Sequence, residues 1–102
     1  MYKLLIADDN NMHIQCVLDY VDWDALGFDD IRTASSGEEA LDIFESFNPD
    51  LVISDVVMPQ LNGVELAKRI REKDSKVHIV FMSCYEEYNY VKNAIDNDIT
   101  AY

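Results

Sequence analysis

Short apolar runs alternate along the chain with segments in which apolar residues recur every three or four positions. The first run covers residues 3–7 and ends in acidic residues, a pattern typical of a buried strand. Similar runs predict further strands at 31–34, 51–53, 77–82 and 99–102. Strands that alternate with helices at this spacing indicate βαβ units, a parallel sheet and right-handed crossovers.

Four helices are predicted between these strands. The sequence Ser36-Gly37-Glu38-Glu39 is a capping box, in which Ser36 caps the amide three residues on and Glu39 reaches back, so the second helix begins there. Asn48-Pro49-Asp50 ends it. A third helix follows Gly63 and a fourth covers 85–96. The apolar stripe of the first helix, spaced i, i+3, i+4, i+7, consists of Ile14, Val17, Leu18 and Val21.

These elements predict a single α/β domain over residues 1–102. The uninterrupted apolar run at 51–53 indicates a strand covered on both faces. We therefore expect a doubly wound, flavodoxin-like parallel sheet of five strands. Such a sheet needs helices over both faces, and the fifth strand runs to the last residue, so we expect the chain to be truncated before a fifth helix.

Charge and hydropathy exclude several classes of partner. With 20 acidic and 8 basic residues the net charge is −12. Phosphate backbones and anionic membranes would be repelled, so we expect no direct nucleic-acid or membrane binding. No apolar run approaches the roughly 20 residues of a membrane span. Asp8 lies too close to the start of the chain for an apolar signal-peptide core to precede it. We therefore expect a cytoplasmic protein. Cys16 and Cys84 are too far apart for a zinc or disulfide motif and are expected to be buried or half-buried, while His13 and His78 are too isolated to suggest a ligand pair.

Polar side chains follow three of the predicted strands where each strand ends. Asp8 and Asp9 follow the first strand, Asp55 the third and Ser83 the fourth. Ligands of open parallel sheets bind beyond these carboxyl ends. Each residue alone is explained as a helix cap or a loop acid. Together they place three carboxylates at one edge, where mutual repulsion favours a hard divalent cation such as Mg²⁺.

These residues resemble the receiver domain of bacterial two-component response regulators. The resemblance spans the whole chain and rests on the pair Asp8 and Asp9, on Asp55 with Met58-Pro59 and Gly63 behind it, on Ser83, and on the aromatic residue Tyr102. The segment 22–28, Asp-Trp-Asp-Ala-Leu-Gly-Phe, is similar to receivers joined to AraC-type helix-turn-helix output domains.

The resemblance implies a role for each site residue. Asp55 would accept a phosphoryl group from the phosphohistidine of a sensor histidine kinase. Asp9, Asp55 and the backbone carbonyl of Val57 would ligate Mg²⁺, with Asp8 acting through water, because phosphoryl transfer depends on positioning and charge neutralisation.

A switch toward a partner is implied as well. Ser83 would hydrogen-bond a phosphoryl oxygen, and Tyr102 would turn inward as Ser83 moves. This change would act on a C-terminal output domain, of AraC type and DNA-binding, or on a second receiver in a homodimer. The domain itself would be no enzyme beyond its own phosphorylation and dephosphorylation.

The chain departs from the family pattern at several positions. The family's lysine, expected about three residues beyond Tyr102, lies past the end of the chain. Asn10 stands where many members have a third acid, and Cys84 where a small residue is usual. These departures keep open a pseudo-receiver that binds partners without phosphoryl turnover. A haloacid-dehalogenase-like phosphatase ranks lower, because it expects an Asp at the position of Val57. A flavodoxin-like FMN site is discarded, since the loop after the first strand lacks a Gly- and hydroxyl-rich phosphate cradle.

Overall fold

A computed structural model of the chain describes residues 2–55 and 61–82. Val57, Ser83 and Tyr102 lie outside these residues, as do the predicted fourth helix and fifth strand. The described elements alternate as predicted, and their bounds are β1 Tyr2–Ala7, α1 Asn11–Tyr20, β2 Phe28–Ala34, α2 Gly37–Phe47, β3 Leu51–Asp55, α3 Gly63–Lys73 and β4 His78–Met82.

The described strands form one parallel sheet in the order β2-β1-β3-β4. β1 has β2 on one side and β3 on the other, so the direction of winding reverses between β1 and β3. The prediction of a doubly wound parallel sheet is confirmed. In open sheets this reversal point is where ligands bind, beyond the carboxyl ends of the strands.

β1 is packed on both faces. Leu4 and Ile6 join a core cluster with Ile14 of α1, whereas Leu5 and Ala7 join a second cluster with residues of α2 and α3. All four β1 side chains are fully buried. The strand is therefore fixed between two layers of helices, and the residue that follows it is held with it.

Helix caps set the ends of the helices that flank the site. The Asn10 side chain accepts a hydrogen bond from the Met12 N–H at 2.9 Å and begins α1. At α2, Ser36 Oγ accepts from the Glu39 N–H at 3.1 Å, while Glu39 accepts from the N–H of Ser35 at 2.9 Å. The predicted capping box is thus confirmed, except that the Glu39 side chain accepts from the N–H of Ser35, the residue before the cap, instead of from that of Ser36.

The connection from α1 to β2 is built around Trp23. Its indole N–H donates to the carbonyl oxygen of Val17 at 3.0 Å, and its ring meets Phe28 edge to face at 5.4 Å. Gly27 has a φ of +94°, which is costly for residues with a Cβ. The segment similar to AraC-linked receivers is therefore a compact turn that fixes where β2 begins.

Three local predictions differ from the structure. Val21 lies beyond the end of α1 as its C-cap, and Ile14 is the buried residue of this helix, while Val17 and Leu18 are partly buried. β2 begins at Phe28 rather than Ile31, because Phe28 pairs with Tyr2 of β1. Cys16 is exposed, contrary to the expected burial, since it lies on the side of α1 away from the sheet. Within the described residues, no helix is long and apolar enough to cross a membrane.

Candidate functional site

Neighbouring strands bring two of the predicted carboxylates together. Ala7 pairs with Ser54 across β1 and β3, so the residues that follow them, Asp8 and Asp55, lie side by side at the carboxyl edge. An oxygen of each carboxylate and a ring nitrogen of His13 all lie within 4.8 Å of one another. The site therefore lies at the reversal point of the sheet.

Asp8 is the buried member of this group. Its side chain is 1% exposed, and its backbone N–H donates to the carbonyl oxygen of Ala34 at 3.0 Å. One carboxylate oxygen accepts from the Asn10 N–H at 2.9 Å, and the other lies 3.2 Å from His13 Nδ1. Burial nevertheless raises the pKa of Asp8, because these partners offset only part of the lost solvation.

Asp55 differs from Asp8 in its access to solvent. It is half-buried at the end of β3, and its backbone carbonyl accepts a hydrogen bond from Ser54 Oγ at 2.9 Å. Ser54 itself is 1% exposed. The Asp55 carboxylate thus has a firmly held backbone and a side chain that a reactant can approach.

Asp9 and Asn10 are placed differently from the other polar residues of this edge. Asp9 is exposed and is not a member of the group formed by Asp8, His13 and Asp55. Asn10 is the N-cap of α1 and links that helix to Asp8 through its backbone N–H. In this arrangement Asp8, rather than Asp9, contributes the carboxylate beside Asp55.

His13 is the site residue that sequence analysis missed. It was considered isolated, but the first turn of α1 carries it back to Asp8, five positions earlier in the chain. A histidine in the first turn of a helix that directly follows an acidic strand end was the available signal. His78, by contrast, is the exposed first residue of β4, paired with Leu51 at the amino end of the sheet.

The donor set fits a divalent cation. Two carboxylates close together repel each other, and burial raises the pKa of Asp8. Mg²⁺ prefers oxygen ligands and binds through one or two carboxylates while it keeps several waters. A cation between Asp8 and Asp55 would compensate both charges.

Comparison with known families identifies the domain. The family model described as the response regulator receiver domain matches residues 4–102. The chain belongs to this family. Its parallel sheet and the acidic carboxyl edge at the end of β1 and β3 are those of a receiver domain, a signal-transduction module found in transcriptional regulators.

Relatives of this receiver domain include regulators from several bacteria. The transcriptional regulatory protein HptR of Staphylococcus aureus is 33% identical over 102 residues, which cover all of this chain and 40% of HptR. The uncharacterized transcriptional regulatory protein YesN of Bacillus subtilis is 32% identical, with 28% of its length covered. The receiver domain thus spans well under half the length of these relatives.

Solved structures agree with the fold and the subgroup. The receiver domain of AraT from Geobacillus stearothermophilus has a TM-score of 0.93 at 31% identity, covering 99% of this chain and 78% of that one. A two-component transcriptional regulator AraC from Clostridium phytofermentans has a TM-score of 0.91 at 31% identity, covering 99% and 79%. These neighbours are consistent with the resemblance of segment 22–28 to AraC-linked receivers.

Proposed function

We propose that this receiver domain accepts a phosphoryl group on Asp55 from a sensor histidine kinase and thereby switches an output domain. The observation that carries the proposal is the pairing of a half-buried carboxylate, Asp55, with a buried one, Asp8, at the carboxyl edge of adjacent strands. The protein would act in the cytoplasm as a response regulator.

The transfer needs a nucleophile that is ionised and accessible. An Asp55 carboxylate oxygen attacks the phosphorus of the phosphohistidine, a new P–O bond forms, and the P–N bond breaks. The electron pair of the broken bond stays on the kinase imidazole, which leaves as a neutral ring if its other nitrogen carries a proton and otherwise takes up a proton from solvent. The product is an aspartyl phosphate on a backbone that Ser54 helps to hold.

By the family resemblance, magnesium would be held by Asp9, Asp55 and the backbone carbonyl of Val57, with Asp8 acting through water. When bound, the ion neutralises negative charge on the carboxylates and on the phosphoryl oxygens. Support for this comes from the position of Asp8 and Asp55, whose carboxylate oxygens lie within 4.8 Å of each other at the carboxyl edge of the sheet.

The output of the switch is also part of the proposal. Ser83 would hydrogen-bond the phosphoryl group, and Tyr102 would change rotamer in response. The partner would be a C-terminal output domain of AraC type or a second receiver. Because the domain carries a net charge of −12, DNA binding would come from the output domain.

Intact mass spectrometry tests the phosphorylation. The full-length regulator is incubated with Mg²⁺ and acetyl phosphate, alongside Asp55→Asn and the matched control Asp42→Asn, which changes an exposed acid on α2. We expect one phosphoryl adduct in the unmodified protein and in Asp42→Asn, no adduct in Asp55→Asn, and loss of the adduct with EDTA.

Two results would count against the proposal. An adduct that persists in Asp55→Asn would place the acceptor elsewhere. A folded protein that binds Mg²⁺ but gains no adduct, from either acetyl phosphate or a histidine kinase, would favour the pseudo-receiver.

A further inference from the structure

We propose that Ser54 is a positioning residue for the phosphorylation of Asp55 and that its hydroxyl sets the rate at which the acceptor reacts. The inference rests on the proposed function and adds a residue to it. Ser54 Oγ donates a hydrogen bond to the backbone carbonyl oxygen of Asp55 at 2.9 Å. This bond ties the side chain before the acceptor to the peptide group that follows the acceptor.

The hydroxyl of Ser54 lies in an otherwise apolar row of the sheet. The residues paired with Ser54 on the adjacent strands are Ala7 of β1 and Phe81 of β4. Both belong to the core cluster that includes residues of α2 and α3, and all three residues of the row are at most 1% exposed. A buried hydroxyl costs free energy unless it has a hydrogen-bond partner. The carbonyl oxygen of Asp55 is such a partner, so burial holds the Ser54 hydroxyl on it.

The bond acts where the attachment of β3 to the sheet is ending. The pairing of β3 with β1 ends at Ser54, whereas its pairing with β4 continues for one more residue, to Asp55 opposite Met82. On the β1 side, the next residue, Asp8, donates its backbone N–H to the carbonyl oxygen of Ala34 of β2. The ends of strands are less firmly held than their centres. The Ser54 hydroxyl therefore adds an attachment at the residue where pairing with β1 has stopped.

Ser54 acts through the backbone and not on the reacting atoms. Successive side chains of a strand project to opposite faces, so the Ser54 side chain enters the core while the half-buried Asp55 side chain does not share that face. A fixed Asp55 carbonyl restricts rotation of the acceptor's backbone and thereby the direction in which its carboxylate is presented. Because phosphoryl transfer depends on alignment of the attacking oxygen, this restriction raises the rate of transfer.

Phosphorylation kinetics of the full-length regulator test this role. Intact mass spectrometry follows the initial rate of adduct formation at saturating Mg²⁺ and acetyl phosphate, at a temperature where circular dichroism shows every variant to be folded. We expect Ser54→Ala to react about three- to tenfold more slowly, which is the effect of losing one hydrogen bond. Ser54→Thr keeps the hydroxyl and should restore the rate to within about twofold.

Two control variants separate positioning from packing. Val52→Ala removes a fully buried side chain from the same strand and the same core cluster, and it destabilises β3 while both partners of the bond stay in place. Ser46→Ala removes a hydroxyl that donates to the backbone carbonyl of Ile43 at 3.4 Å on α2. Both should react at the rate of the unmodified protein. Ser54→Cys has a weaker donor of nearly the same size and should react at a rate between those of Ser54→Ala and the unmodified protein, which keeps the series decisive if the methyl group of threonine is not accommodated.

Nuclear magnetic resonance reports the hydrogen bond independently of the rate. The carbonyl ¹³C resonance of Asp55 should shift in Ser54→Ala and return toward its original position in Ser54→Thr. An unchanged rate in Ser54→Ala, or an equal loss of rate in Val52→Ala, would overturn the positioning role and leave the phosphorylation of Asp55 standing. Absence of an adduct in the unmodified protein would refute the proposed function and the positioning role with it.

Discussion

Replacing Asn10 by alanine tests how α1 is attached to the acidic edge. The Asn10 side chain accepts the Met12 N–H at 2.9 Å, and its backbone N–H donates to Asp8 at the same distance. Alanine removes only the first bond. Loss of an N-cap costs about 1 kcal/mol, and α1 has a single fully buried residue, Ile14, to compensate. We therefore expect the free energy of unfolding to fall by about 1 kcal/mol, or Tm by about 4 to 8 °C.

Thermal denaturation in EDTA, followed by circular dichroism, measures this loss. Asn11→Ala is the matched control, because Asn11 is the exposed first residue of the helix, where alanine is the better helix former. Hydrogen exchange at the Met12 amide should also accelerate in Asn10→Ala. If Asn10→Ala has the same Tm as Asn11→Ala, the cap does not stabilise α1 and the reasoning is refuted.

Three further predictions concern packing and charge. Gly37→Ala should lower the free energy of unfolding by about 1 to 3 kcal/mol in urea, because an added Cβ would overlap the carbonyl oxygen of Leu61; equal stability would show that the loop yields freely. In metal-free buffer, the Tm of the unmodified protein should fall relative to that of Asp8→Asn as pH rises from 3.8 through the raised pKa of Asp8. The reason is that the folded carboxyl holds its proton more tightly than the unfolded one. Parallel curves of Tm against pH for the two proteins would contradict this. Mg²⁺ at about 100 times its Kd should stabilise the unmodified protein by about 2.7 kcal/mol and Asp8→Asn by much less, and chelation should reverse the gain.

The central strands could be predicted because both of their faces are buried. Leu4, Leu5 and Ile6 are consecutive and fully buried, so an apolar run marks β1 without ambiguity. The edge strand β2 is different, since Asp29 and Asp30 are exposed and have the composition of a loop. The start of β2 is set by backbone pairing with β1, in which Phe28 pairs with Tyr2 and Asp30 with Lys3 across an irregularity in the register. The residue types at 28–30 do not indicate this pairing.

The site could be predicted in part for a related reason. Strand ends fix where Asp8 and Asp55 lie, because parallel strands present their carboxyl ends at one edge. The sequence does not show which of Asp8 and Asp9 is buried, since adjacent residues project in opposite directions and the strand end decides between them. The contact of His13 depends on how the short connection folds back into α1, and its sign in the sequence is a histidine in the first turn of a helix that follows an acidic strand end.

The residues of the site differ in how firmly the fold holds them, and this difference bears on signalling. Asp8 follows a strand packed on both faces, and its carboxylate is buried there. Asp55 is half-buried on a neighbouring strand, so its side chain is partly accessible to solvent. His13 belongs to a helix held by one buried residue and one cap. A rearrangement at this edge would therefore displace α1 more readily than the sheet, because α1 is held by fewer buried contacts.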